Sequence, residues 1–457
     1  MAEYGPDACL AAMLALPGDG RWGIDRPRVV PGVTAYAVRS FDGDALSFCI
    51  PVIVRRPLCS EIPLGVRGSP GAVALIIERI KQQVASVPAL GPLAGQGTRF
   101  PQHYASTVEP YTLVASPAAL ASDLWHAGDR NFADPEGVHL LLCGAVPLPP
   151  ACTDTDVRRI TETSARLCDA VAACVLSLPV RVLEAAWITA LDQQLVRERL
   201  PALGLVSFVG DGARLARCCT RYRPFFRTAG PKDGVSVPFF CPEELQPVEL
   251  ELAASGRTVT GLGIRQREVF AVAGSNAQGK STFLEGIIAG MDDHATGDGR
   301  EPVVTVHGLE TAEALNCQLA AADVSMFFSA LPPGMSGTPQ AACGMGSGSM
   351  TMAYQVQRAI ARGVPLLIID EDRAAPNLLV QSSLQTGEVT PLSGILARDR
   401  GRMGKTTLVF AACAMDTLVA QADRILVLDR HVAAAIDRGA FRRRVRETLL
   451  EMAGDLS

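Results

Sequence analysis

Residues 274–281 read Gly-Ser-Asn-Ala-Gln-Gly-Lys-Ser, a complete G-x-x-x-x-G-K-S loop. The apolar run Val269-Phe270-Ala271-Val272-Ala273 precedes it, and a helix-like segment, Thr282 to Met291, follows. Strand, glycine turn and helix in that order commit this part of the chain to an α/β unit with the loop at the end of a buried strand. Gly274 and Gly279 let the backbone curl so that successive N–H groups converge, and the first turn of the helix adds unpaired N–H groups and its positive dipole end. Such a cradle suits a polyphosphate. Lys280 would reach the β- and γ-phosphates and the Ser281 hydroxyl would hold Mg2+, with Ser275, Asn276, Ala277, Gln278 and Thr282 completing an ATP-binding stretch.

Many chemistries share a loop of this kind, so the second half of the site decides the class. Val364-Pro365-Leu366-Leu367-Ile368-Ile369-Asp370-Glu371 is a buried-strand pattern ending in two acids. Asp370 would support Mg2+ through water and Glu371 would polarise an attacking water, which points to ATP hydrolysis. A small-molecule kinase generally lacks the adjacent second acid. Upstream, Gly346-Ser347-Gly348-Ser349-Met350 opens a helix-like segment, Thr351 to Ala361.

At 457 residues the chain exceeds one ordinary core. Three regions are expected: a strand-rich α+β region over 1–150, a helical hairpin with a basic segment over 151–244, and a nucleotide-binding head over 245–457. In the first, Leu46–Val54 and Val138–Leu142 read as strands and Ala72–Val87 as a helix ended by Pro88. In the second, Asp154 caps a helix that stops at Pro179, and another runs from Val180 to about Leu200. Pro238–Pro247 reads as a linker, followed by a hairpin of Val248–Leu252 and Arg257–Ile264 around Ser255-Gly256.

A net charge of −5 leaves any nucleic-acid contact to a local basic patch. Arg214, Arg217, Arg221, Arg223, Arg227 and Lys232 supply one, with Tyr222, Phe225 and Phe226 interleaved and no acid between Asp211 and Asp233. Either this stretch tracks a phosphate backbone while bases stack on its rings, or it is a solvated loop whose aromatics enter a core. The last helix, about Phe441 to Met452, has the same two readings: Phe441, Val445 and Leu449 line one face, and Arg442, Arg443, Arg444 and Arg446 crowd its start. Thirteen cysteines without a CxxC pair suit a reducing compartment, the vicinal Cys218-Cys219 being the one pair to watch. No apolar run approaches the roughly 18 residues of a membrane span, and the first twenty residues read as neither a signal nor a transit peptide.

The phosphate loop, Gly297-Asp298-Gly299-Arg300-Glu301, Ser347-Gly348-Ser349 and Asp370-Glu371-Asp372 together make residues 204–430 resemble the ATPases of the ABC class that are not transporter subunits. The fold the resemblance implies is α/β, a P-loop NTPase of ABC-ATPase type with an additional N-terminal α+β region. It also implies a head-to-tail homodimer binding ATP and Mg2+, in which Ser347, Gly348 and Ser349 clasp the γ-phosphate held by the opposite subunit. Within the family, length and a divergent N-terminus are most similar to members that accompany RNA editing in kinetoplastid mitochondria. That likeness implies U-rich single-stranded RNA and RNA-editing proteins as partners, no membrane, and a mitochondrial location. Some family features differ here. Pro376 stiffens the D-loop-like Ala374-Ala375-Pro376-Asn377, the Q-loop glutamine falls at Asp323 or Ser325, and counting back from Ala422-Asp423 puts Cys413 where a switch histidine is usual. Without that histidine, slow turnover is expected; the alternative is an ATP-gated scaffold with negligible hydrolysis and no RNA.

Overall fold

In a computed structural model, residues 4–28, 37–39, 45–84, 86–94, 131–218, 227–228, 237–383 and 387–455 are described. They divide into two compact units, residues 1–192 with 217–228 and 295–297, and residues 193–216 with 229–294 and 298–457.

In the first unit, helix α1 (Pro6–Leu14) leads to strands β1 (Trp22–Ile24), β2 (Ala37–Arg39) and β3 (Ala45–Val54), helix α2 (Ser69–Gln83), β4 (Phe132–Ala133), β5 (Val138–Pro147), α3 (Asp154–Ser177) and α4 (Val180–Arg199). The sheet runs β1-β3-β5-β4 with β2 added on β3, all antiparallel. Leu46, Phe48, Ile50, Val52 and Val54 recur every second residue along β3 and are buried in one core. The α3 stripe of Ile160, Leu167, Val171 and Val175 belongs to the same core as that sheet. This shared core explains why the chain does not divide at residue 150; the cut falls inside α4, between Asp192 and Gln193. The α3 cap also differs from expectation. Thr153, not Asp154, caps it in a reciprocal box: its Oγ1 accepts from Asp156 N–H, while its own N–H donates to the Asp156 carboxylate at 3.0 Å.

The second unit begins with the end of α4 and β6 (Leu205–Gly210). The short pair β7 (Arg217–Cys218) and β8 (Arg227–Thr228) is assigned to the first unit. Then come β9 (Val248–Glu251), β10 (Thr258–Arg265), β11 (Val269–Ala273), α5 (Lys280–Ala289), β12 (Val303–Thr305) and β13 (Glu310–Thr311). A three-stranded sheet, β14 (Cys317–Ala322), β15 (Ser336–Thr338) and β16 (Ala341–Gly346), precedes α6 (Gly348–Arg362). Strands β17 (Leu366–Asp370), β18 (Thr407–Ala412), β19 (Arg424–Asp429) and β20 (Val432–Ile436) and helix α7 (Arg438–Asp455) complete the unit. Its central sheet is ordered β13-β17-β18-β11-β19-β20, parallel throughout except for the last hairpin.

Both faces of this sheet are covered, which is why its strands read as unbroken apolar runs. Phe270, Val272, Leu366, Ile368, Val409 and Leu426 share one core with α5 and the antiparallel sheet β12-β6-β10-β9. Val269, Ala271, Leu367, Ile369, Leu408 and Ile425 face the α6 core on the other side. The hairpin read from Ser255-Gly256 is β9–β10, with Thr258 opposite Glu251.

Two expectations change. The segment 238–247 is no linker: Phe239 and Leu245 are buried, Phe239 exchanges backbone hydrogen bonds with Gly212 and Ala213, and the Asp211 carboxylate accepts from Cys241 N–H at 2.7 Å. Proline content hid two core side chains. The terminal helix α7 packs only through its first turns; Val445 is buried and Phe441 half-buried, whereas Leu449 is 50% exposed. Among the described residues no single helix is long and apolar enough to cross a membrane.

At the N-terminal ends of β11 and β19, charges join the central sheet to the antiparallel sheet β12-β6-β10-β9. Arg424 grips Glu268 through Nε at 2.6 Å and Nη2 at 2.8 Å, and donates to the carbonyls of Leu245 and Gly263. Both side chains are almost fully buried, so Arg424→Met strands a carboxylate and is expected to lower unfolding free energy by about 3–5 kcal/mol in urea titration. Beside it, burial pushes the Asp423 carboxyl up, but hydrogen bonds from Arg400 and from Val269 N–H outweigh this and hold it below the usual range. A depressed folded-state pKa contributes stability above the unfolded value, about 3.9, that is lost as pH falls through the folded one. The stability gap between wild type and Asp423→Asn is therefore expected to narrow as pH drops below about 4.

Candidate nucleotide site

The phosphate loop leaves the carboxyl end of β11, with a parallel strand on each side. Gly274 has φ of 142°, and a Cβ there would lie 2.4 Å from the Leu428 carbonyl oxygen, so only glycine fits against β19. Gly279, at φ 99°, and Ala277, at φ 59°, are the other left-handed residues of the turn. Ala277 went unnoticed in the sequence, because nothing in its type signals a left-handed turn. Alternating hands are what turn successive N–H groups inward. Helix α5 has Gly279 as its N-cap and no capping side chain, so its first-turn N–H groups keep their donor capacity for an anion.

Lys280 is 9% exposed, and its Nζ donates to the carbonyls of Gly274 at 2.9 Å and Ser275 at 2.8 Å. The ammonium is thus folded over the loop that would wrap a polyphosphate. Glycine cradle, uncapped helix start and buried ammonium fit a nucleotide phosphate chain. Ser281 and Thr282 follow on the first turn of α5, partly exposed.

The acids stand two strands away. Asp370 ends β17 opposite Ala411 of β18, which in turn lies opposite Val272 of β11. At about 4.8 Å per strand, Asp370 is roughly 10 Å across the sheet and level with the point where the loop begins. An aspartate there fits an outer-sphere Mg2+ ligand, with Ser281 as the hydroxyl donor set. Glu371 begins the turn after β17, and its Oε2 accepts a hydrogen bond from the backbone N–H of Cys413, the first residue past β18. Cys413, reached in the sequence by counting from Ala422-Asp423, thus stands beside the second acid.

Strand order also brings a third acid to this edge. β13 is the outer neighbour of β17, with Thr311 opposite Ile368, so two residues on Glu313 is level with Asp370. Its carboxylate accepts from Arg373 Nη1 at 3.0 Å, and Glu313, then Glu285 and Asp370, hold that guanidinium firmly protonated. Asp323 and Ser325, the positions expected from the sequence, instead bond to each other at 2.7 Å, and Ser325 Oγ also accepts from Gln357 on α6. Strand β14 separates them from the end of β13. A two-residue strand such as β13 has too little pattern to be seen in sequence.

Ser347 is the N-cap of α6 and makes no side-chain cap, leaving that helix start open to an anion as well. Gly348 opens the helix, and Ser349 Oγ donates to Asn377 Oδ1 at 2.7 Å. Asn377 lies in the segment after Glu371, where Pro376 is the first residue of a short helix, Pro376–Leu379, a position that suits its fixed φ. The signature and the acid-bearing turn are therefore tied within one chain.

Of the basic stretch, Arg214 donates its N–H to the Gly299 carbonyl at 2.7 Å, and Arg217 and Arg227 sit in the paired β7 and β8. Arg221, Arg223, Lys232 and Cys219 lie outside the described residues. Arg300 of the Gly-Asp-Gly-Arg-Glu run is buried and donates twice to the Leu215 carbonyl, so that run has a structural task. A cleft of about 550 Å³ lined by Arg265, Glu268, Asp423, Arg424 and Arg438 opens at the opposite ends of β11 and β19 from the phosphate loop. Arg424 and Arg438 are paired there with Glu268 and Asp423, and the cleft is not the nucleotide site.

The model of the ABC ATPase family's P-loop domain matches residues 179–453. The chain belongs to the ABC ATPase family. An uncharacterized protein of the archaeon Methanocaldococcus jannaschii is 36% identical over 420 residues, covering 92% of this chain and 91% of that one. Among solved structures, a nucleotide-free ATP-binding cassette from an ABC transporter is similar over 53% of this chain and 95% of its own, at 12% identity and a TM-score of 0.30. CbiO1 from Clostridium perfringens, part of the ABC transporter complex CbiONQ, covers 46% and 95%, at 16% identity and 0.29.

The Lys280 geometry generates a direct test. Lys280→Ala removes a buried, doubly bonded cation and should weaken Mg·ATP binding by about 2–5 kcal/mol, read by calorimetric titration.

Proposed function

We propose that this ABC ATPase hydrolyses ATP slowly as a pair of copies, the phosphate loop of each facing Ser347–Ser349 of the other. The observation that carries this reading is the meeting of Glu371 with Cys413 N–H at the strand ends beside the loop. Lys280 and the first-turn N–H groups of α5 bind and orient the phosphates, and Ser281 and Asp370 hold Mg2+, which when bound neutralises phosphate charge. The Cys413 N–H engages Glu371 Oε2 and turns the carboxylate, leaving Oε1 to take a proton from water. A thiol at residue 413 is a poor hydrogen-bond donor in place of an imidazole, which accounts for slow turnover. A bare helix start at Ser347, ordered through Ser349 and Asn377, gives the facing copy its anion contact.

Single-stranded, U-rich RNA is the ligand proposed for the pair, on the basic run from Arg214 to Lys232 with its interleaved aromatics. Mitochondrial residence and a part in RNA editing are proposed on the resemblance in sequence alone. A scaffold gated by ATP, without RNA, is the second reading, favoured by the cysteine at residue 413.

Light scattering with and without Mg·ATP tests the pair. Glu371→Gln should lower turnover at least about a hundredfold, within the usual range for a lost general base, while trapping an ATP-dependent dimer. A chain that stays monomeric with Mg·ATP in wild type and Glu371→Gln alike would sink the reading. Labelled oligouridylate at moderate salt separates the two ligand readings: binding that weakens with salt and on neutralising Arg214 and Arg217 supports RNA, and no binding in any nucleotide state leaves the scaffold.

A further inference from the structure

We propose that the Arg430–His431 turn is part of the nucleotide site, with His431 as a positioning residue that sets the far end of the phosphate loop. The inference rests on the loop's reading as the ATP site and adds a residue that neither the sequence motifs nor the strand ends single out.

β19 and β20 are joined by two residues, Asp429 lying opposite Val432. Such a turn needs positive φ at both positions, and Asn-Gly usually supplies it. Here Arg430 has φ of 48° and His431 of 67°. Left-handed backbone at non-glycine residues costs roughly 1–2 kcal/mol each, and strain of this kind persists where neighbouring structure imposes it.

What the turn touches is the loop. Arg430 N–H donates to Gln278 Oε1, and His431 Nδ1 lies 3.1 Å from the Gln278 carbonyl oxygen. A Cβ on Gly279 would come within 3.2 Å of that same Nδ1. Two residues before Arg430, on β19, the Leu428 carbonyl closes against Gly274. The hairpin therefore walls the loop at its first glycine and at its last two residues before Lys280. One backbone N–H, of Arg430, and one side chain, of His431, thus hold Gln278, and the imidazole lies against Gly279.

The chemistry of the bond says which proton matters. A carbonyl oxygen can only accept, so Nδ1 carries a hydrogen in this contact. That N–H donor is the group through which the ring holds Gln278.

The test compares full-length wild type, His431→Gly and His431→Asn by calorimetric Mg·ATP titration, with thermal melting alongside. Glycine relieves the left-handed strain, so His431→Gly should melt at or above wild type yet bind at least about fivefold more weakly. Asparagine tolerates the backbone and keeps an N–H donor, so His431→Asn should restore affinity. Wild-type affinity in His431→Gly, or a loss in His431→Asn as large as that in His431→Gly, would overturn the inference while leaving the loop as the ATP site. Failure of wild type itself to bind Mg·ATP would overturn the reading of the loop, and this inference with it.

Discussion

Everything in the second unit depends on β11 being held between two parallel neighbours and buried on both faces. Parallel pairing to β18 and β19 sends all three strand ends the same way, so the loop, Cys413 and the Arg430–His431 turn emerge on one edge. With no exposed face, the strand has no register other than the one its packing allows, and the loop cannot slide relative to Asp370. At the opposite ends, Arg424, Glu268, Arg400 and Asp423 hold the same strands from below. A buried ion pair is weak evidence of net stability, but Arg424 closes on both oxygens of Glu268 and on two carbonyls at once, which ties these strand ends in one geometry.

On the upper edge the bonds are of another kind. Lys280 is bonded to the loop's own carbonyls, Glu371 to a backbone N–H, Glu313 to Arg373, and Ser349 to Asn377. These contacts prearrange donors and acceptors around the space between β11 and β17 rather than fill it. Preorganisation of this sort is how phosphoryl-transfer sites act, since the protein's contribution there is positioning and charge. At residue 413 the contact with Glu371 is made by the backbone N–H, so it does not depend on the side chain there.

Legibility followed the length of the pattern. The loop, the apolar strands ending at Asp370 and at Ala273, and the long helices α3, α4 and α6 were visible because each repeats its period over several residues or carries glycine at a fixed offset. β13, two residues long, was not, and so the place of Glu313 beside Asp370 has no signal in the sequence. The segment 238–247 misled in the opposite way: its prolines read as a linker, while Phe239 and Leu245 serve a core assembled from strands far along the chain. Cys413 was reached only by counting residues, and its bond to Glu371 is invisible until β17 and β18 are paired.

The sequence by itself determined that a phosphate-binding loop joins a buried strand to a helix, and that two acids end a second buried strand. Those are local facts, set by glycine's freedom, by apolar periodicity and by the order of residues. Tertiary structure alone decided which strands are neighbours, and hence that Glu313 rather than Asp323 is level with Asp370, and that His431 closes on Gly279. Strand order comes from the packing of distant segments into one doubly covered sheet, and no window of sequence contains it.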